Sequence, residues 1–173
     1  VAVVTGGSRG IGAMIARGFV ENGVRTYICS RNLDQARMTA EDLSKFGDCI
    51  AVQADLSTVE GIEQFVAEIE NREDKIDILV NNAGAVWGAP IDSFPESGWD
   101  KVMDLNVKSV FFLTQKFLPL LRRGADPRNT ARIINIASVD GQWVPQFETY
   151  SYSASKAAVI HMTRCMASEL MRH

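Results

Sequence analysis

Short apolar runs alternate with longer stretches in which apolar residues recur every three to four positions, from one end of the chain to the other. The runs at 1–5, 25–30, 49–54, 76–81 and 132–137 are rich in β-branched residues and show no polar alternation. Uniformly apolar runs of that length suit central parallel strands covered on both faces. Between them, 11–22, 33–46, 59–71, 98–122 and 151–172 carry apolar positions at helical period. The punctuation agrees: Gly23 and Gly47 stand where a helix would have just ended, and Ser57-Thr58-Val59-Glu60 has capping-box spacing. Repeated β-α units joined by right-handed crossovers predict an α/β doubly wound parallel sheet.

Size allows one such unit. A chain of 173 residues, 46% of them hydrophobic, can bury one core and is too short for two ordinary domains. The polar stretch 124–130 reads as a surface loop inside a single domain spanning 1–173. Val1 already falls within a strand-like run and 162–173 still read as helix, so the chain is expected to be a piece of a longer protein, incomplete at its C-terminus.

Charge and cysteine usage narrow the function classes. A net charge of −3, with no basic patch beyond Arg122-Arg123 at an expected helix end, argues against a nucleic-acid partner. The first residues lack the basic start of a signal peptide, and the most apolar stretch, 110–121, is interrupted by Gln115, Lys116 and Pro119 and is too short to span a bilayer. Cys29, Cys49 and Cys165 have no metal-ligand or C-x-x-C spacing and read as reduced core thiols of a cytoplasmic protein. Neither a metal nor a membrane partner is expected.

Chemistry enters with the glycine turn that follows the first strand. Gly6, Gly10 and Gly12, with Ser8, Arg9 and Ile11 between them, lead into an amphipathic helix. In that context backbone N–H groups and a helix N-terminus hold a pyrophosphate. At the end of the second strand, Ser30-Arg31 offers no acid to the adenosine ribose. Arg31 and Arg9 instead suit a 2′-phosphate, which favours NADP over NAD; Asp34, three residues on, keeps NAD open. Asp55-Leu56 and Asn82-Ala83-Gly84 end the third and fourth strands, where open α/β sheets bind ligands. Asp55 is equally readable as a cap for the following helix. Asn106 interrupts an otherwise apolar helical stretch and must find partners if buried.

Tyr152 and Lys156 complete the set. Four residues apart, they return to one helix face, and an ammonium beside a phenol lowers a pKa that starts at ~10. That makes the phenol a proton donor and acceptor near neutral pH.

Taken together, T-G-x-x-x-G-I-G at 5–12, D-L at 55–56, N-N-A-G at 81–84, N-V at 106–107, I-A-S at 136–138 and Y-S-A-S-K at 152–156 resemble the short-chain dehydrogenase/reductase family over essentially the whole chain. The resemblance implies a Rossmann-like sheet of strand order 3-2-1-4-5, without the family's last strands, and a catalytic tetrad of Asn106, Ser138, Tyr152 and Lys156. Tyr152 is implied to donate a proton to a carbonyl that receives hydride, with Ser138 bonding the same oxygen. Lys156 would bond the nicotinamide ribose, and Asn106 would hold a water leading from Lys156 to solvent. Within the family the chain is most similar to 3-oxoacyl-acyl-carrier-protein reductases, especially a branch linked to rhamnolipid precursors. That similarity implies NADPH-dependent reduction of a 3-oxoacyl thioester by a homodimer or homotetramer. A relative acting on small alcohols, polyols or steroids is the alternative, and a non-catalytic NADP-sensing domain a third reading. Trp87, Trp143, Val144 and Phe147 are either an apolar wall for substrate or packing for a lid. The isolated 173-residue piece is expected to fold poorly and turn over little.

Overall fold

A computed structural model describes residues 1–171. Five strands, β1 (Ala2–Thr5), β2 (Thr26–Ser30), β3 (Cys49–Gln53), β4 (Ile78–Asn81) and β5 (Arg132–Asn135), form one parallel sheet in the order β3-β2-β1-β4-β5. The doubly wound α/β arrangement and its strand order are those expected. Helices α1 (Gly10–Glu21), α2 (Leu33–Leu43), α3 (Val59–Glu70), α4 (Glu96–Met103) and α5 (Ser109–Gly124) lie in the crossovers between strands, and α6 (Tyr150–Leu170) follows β5; together they flank the sheet.

The strand order reverses direction at β1, and the core divides accordingly. On one face Val4, Ile28 and Val80 pack against Ala16 and Val20 of α1 and Ala40 and Leu43 of α2. On the other, Val3, Tyr27 and Leu79 meet Ile62, Phe65 and Ile69 of α3 and Leu113, Phe117 and Leu120 of α5. Phe65 and Phe117 meet edge to face with centroids 5.8 Å apart. Burial of each such ring contributes about 1.5–3 kcal/mol.

Local signals mostly hold. α1 stops where expected: Gly23 takes φ +74°, its N–H donates to Val20 O and the Val24 N–H donates to Phe19 O, a Schellman ending. Three expectations need correction. α2 ends at Leu43 with Ser44 as its cap, so Gly47 is not the residue after a helix. Gly47 is needed because a Cβ there would lie 2.7 Å from Val20 O. Thr58, not Ser57, caps α3, accepting from Gly61 N, while Ser57 turns back to Asp55. Finally, the stretch 98–122 is not one α-helix. It begins at Glu96 and is interrupted by a π turn, Asp104–Lys108. Of the helix expected at 151–172, Arg172 lies outside the described residues, as does His173; His161 is exposed on α6. Among the described residues no helix is long and apolar enough to cross a membrane.

Candidate active site

Because all strands run parallel, every loop that follows a strand emerges along the same edge of the sheet. There, Gly6, Ser8, Arg9, Gly10, Ile11, Gly12, Ser30, Arg31, Asp55, Leu56, Asn82, Ala83 and Gly84 line one groove of about 370 Å³. These are all the residues nominated for cofactor from the strand-end loops, drawn from four separate segments. Cys29, Ala54, Ser57 and Leu105 complete the lining.

The groove is shaped by backbone. Gly6 and Gly10 have φ of +64° and +56°, a region that disfavours a Cβ. A Cβ on Gly12 would lie 2.4 Å from Gly6 O and 2.5 Å from Asn82 Nδ2. α1 starts after Arg9 with no side-chain cap and no acid in its first turn, so its N-terminal N–H groups and positive dipole end remain available to an anion. Thr5, which the sequence reading passed over, stitches the turn to the β4 loop. Its Oγ1 donates to Val80 O and accepts from Asn82 N (2.9 Å) and Ala83 N (3.0 Å). Asn82 Nδ2 donates in turn to Thr5 O and Gly6 O.

At the far end, Asp55 Oδ1 accepts from Ser57 Oγ (2.7 Å) and Ser57 N (3.0 Å). These bonds, with a smaller contribution from Arg31, hold its carboxyl below the usual range. Asp55 thus orders its loop and lines the groove at once. Arg9 and Arg31 are exposed. Asp34 stands in the first turn of α2, exposed and outside the groove lining.

The remaining four nominated residues lie on elements that pack together at the β4–β5 end of the same edge: the π turn and the turn Val139–Gly141 both rest on α6. Asn106 sits in the π turn, a widened turn often found at functional sites, and is buried. Its Oδ1 accepts from Ala85 N (2.7 Å), and its Nδ2 donates to Ala85 O (2.9 Å) and Ser155 Oγ (2.9 Å). Ser155 Oγ donates to Tyr152 O at 2.7 Å. Both amide hydrogens of Asn106 are thereby committed, and its side chain clamps the loop after Gly84 to α6.

Lys156 is only 6% exposed, and burial pushes its pKa below the ordinary lysine value. Its Nζ donates to Ile136 O at 2.7 Å and lies 5.6 Å from the centre of the Tyr152 ring. Tyr152 and Ser138 are half-buried. Ser138 Oγ accepts from Asp140 N at 3.2 Å, and the short turn Val139–Gly141 rests on α6: a Cβ on Gly141 would meet Lys156 C at 2.7 Å. Tyr150 packs edge-on against Phe94 and is not part of this cluster. Ser155 and Ala85 were missed from sequence, although Ser155 lies three residues from Tyr152 on the same face. Trp87 stacks on Gly98 and carries Lys101 over its ring at 5.2 Å, while Trp143, Val144 and Phe147 are exposed. No group of three or more metal-ligating side chains is assembled among the described residues.

Comparison with known proteins adds an independent line. The sequence model of the short chain dehydrogenase family matches residues 1–173. A rhamnolipids biosynthesis 3-oxoacyl-[acyl-carrier-protein] reductase of Pseudomonas aeruginosa is 50% identical over 171 residues, covering 99% of this chain and 67% of that protein. A putative ketoacyl reductase of Streptomyces coelicolor is 35% identical over 173 residues, covering 99% and 65%. Among solved structures, the Pseudomonas aeruginosa RhlG/NADP active-site complex superposes with a TM-score of 0.96 at 50% identity, covering 98% of this chain and 66% of that one. An actinorhodin polyketide ketoreductase with NADPH gives 0.91 at 34% identity, covering 99% and 65%. The chain therefore spans about two thirds of the length of these relatives.

Proposed function

The chain belongs to the short chain dehydrogenase family, and from that premise we propose that it is the cofactor-binding and catalytic part of an NADPH-dependent reductase of 3-oxoacyl thioesters. The observation that carries this reading is the placement of a buried ammonium, Lys156, over the Tyr152 ring on the same sheet edge as the glycine groove.

The residues present fit a dinucleotide phosphate. Gly6, Ser8, Gly10, Ile11 and Gly12 would hold the pyrophosphate at the uncapped start of α1. Arg9, Ser30 and Arg31 would take the 2′-phosphate, a bidentate task suited to guanidinium. Asp55 and Leu56 would border the adenine, and Asn82, Ala83 and Gly84 would form the wall toward the reacting ring. NADPH, when bound, supplies the hydride. The other steps belong to side chains of this chain. Ser138 Oγ–H donates to the substrate carbonyl oxygen and stabilises its growing charge. Tyr152 delivers the proton to that oxygen. Lys156 favours the negative phenol oxygen so produced, and the two N–H groups not bonded to Ile136 O are free for ribose hydroxyls. Asn106 fixes the loop and helix that face each other across the reacting centre.

Three free thiols, with no disulfide among the described residues, support a cytoplasmic setting. The exposed Phe111 on α5 and the exposed small residues Ala154 and Ala157 of α6 suit packing against a second copy, and a homodimer or homotetramer is part of the proposal.

The test is NADPH oxidation by the intact protein with acetoacetyl thioester, run beside a panel of sugar ketones. Tyr152→Phe should lower turnover by roughly 10²–10⁴-fold while leaving NADPH binding unchanged. A variant as active as the parent would sink the reading. Preference for a sugar ketone would move the substrate class to polyols.

A further inference from the structure

Three of the four buried residues of α6, Ser151, Ser155 and Lys156, are polar; the fourth is Val159. Apolar contact is non-directional, whereas a hydrogen bond fixes both the rotation and the height of a helix.

Tyr152, Lys156, Val159 and Thr163 lie on one stripe of α6, spaced four, three and four residues apart. The C-terminal end of β5 and the residue after it hold that stripe at two points. Lys156 Nζ donates to Ile136 O at 2.7 Å, and Asn135 Nδ2 donates to Thr163 Oγ1 at 2.9 Å. Thr163 Oγ1 donates onward to Val159 O at 2.7 Å. The anchors are two helical turns apart, about 10 Å along the axis. Asn135 is itself fixed from the other side. Its Oδ1 accepts from Asn81 Nδ2 at 2.8 Å, and Asn81, its register partner on β4, also donates to Thr114 Oγ1 of α5 at 3.3 Å. Asn81 and Thr114 are buried. One polar chain thus crosses from α5 through two strands to α6.

We propose that Asn135 and Thr163 are positioning residues, which set the rotation and height of α6 on β5 and so deliver Tyr152 and Lys156 to the reacting centre. Neither touches that centre; both act through the helix. The inference rests on the reduction proposed above for its kinetic consequence, and on the hydrogen-bond chain alone for its structural one.

Thr163→Val keeps the side-chain shape and removes the hydroxyl; Thr163→Ser keeps the hydroxyl. In the intact protein, Thr163→Val should lower kcat roughly tenfold or more, as displacement of a reacting group does, with a smaller rise in KM for NADPH as Lys156 leaves the ribose, and Thr163→Ser should restore most of both. NMR titration of the labelled Lys156 side chain reads the same displacement without turnover: it should move in Thr163→Val and stay in Thr163→Ser. An unmoved titration in Thr163→Val overturns the positioning role. So does a parallel fall of kcat, NADPH affinity and thermal midpoint that Thr163→Ser does not restore. A wild-type protein with no NADPH oxidation but with the shifted titration would sink the reduction and leave the positioning standing.

Discussion

The glycine groove and the edge proposed to be catalytic sit on the same side of one sheet but are built by different means. In the groove, shape comes from backbone: two positive-φ glycines, a glycine with no room for a Cβ, and a helix start without a side-chain cap. At the catalytic edge, position comes from side chains that reach across the fold, Asn106 to Ala85 and Ser155, Lys156 to Ile136 and Asn135 to Thr163. The binding loops are thus set by what the backbone can adopt, and the residues proposed to react are set by individual side-chain anchors from other elements.

Lys156→Met breaks the contrast most sharply. It should abolish measurable turnover, a fall of roughly 10²-fold or more, yet leave the protein at least as stable at neutral pH. The reason is that burial disfavours the ammonium, whose pKa lies below its ordinary value. In the wild type that penalty is present in full below the lowered folded pKa. It is relieved as pH rises from that value toward the unfolded one, because the unfolded chain then binds the extra proton. Thermal midpoints of the two proteins across alkaline pH should therefore converge upward. A Met variant markedly less stable at pH 7 would mean that the Ile136 bond outweighs desolvation.

Effects in the groove should be smaller and steric. Gly12→Ala places a methyl against Gly6 O and Asn82 Nδ2, so the β4 loop must shift; stability should fall by about 1–3 kcal/mol, with weakened NADPH binding. Gly10→Ala meets no atom within 4 Å and should cost only about 1–2 kcal/mol of left-handed backbone strain. Denaturant midpoints and NADPH titrations of the two variants give the ranking. Equal losses would mean that conformation, rather than contact, governs the turn.

The same division explains what the sequence made legible. The α/β alternation and the groove residues were readable because each depends on local spacing: an apolar run, a glycine turn, a residue just past a strand. Asp55, which was readable either as a cap or as a ligand residue, turns out to order its loop through Ser57 while lining the groove. Thr58 displaced Ser57 as cap because Ser57 was already taken by Asp55. The π turn was not readable, since 98–122 keeps helical period through it; the partners that hold Asn106 inward, Ala85 and Ser155, are 21 and 49 residues away. Thr5, Asn135 and Thr163 escaped for the same reason. A polar residue at a strand end or on a helix gives no local sign of which distant amide it will meet.

The smallest expected effect concerns the thiols. Cys29 lines the groove yet has no exposed surface, and burial pushes its thiol up to about 12; Cys49 on β3 is raised to about 11 by burial and the nearby Asp48. Thiolate is the reactive form, so both should resist a thiol reagent at neutral pH in the native protein. Cys165, expected in the core, is instead exposed on α6 and should react alone, with little change in NADPH binding because it lies nine residues beyond Lys156, outside the groove lining. Counting labelled thiols by mass spectrometry before and after denaturation checks this. Native labelling of Cys29 would show that the groove floor opens, and backbone conformation alone would then not account for the shape of the groove.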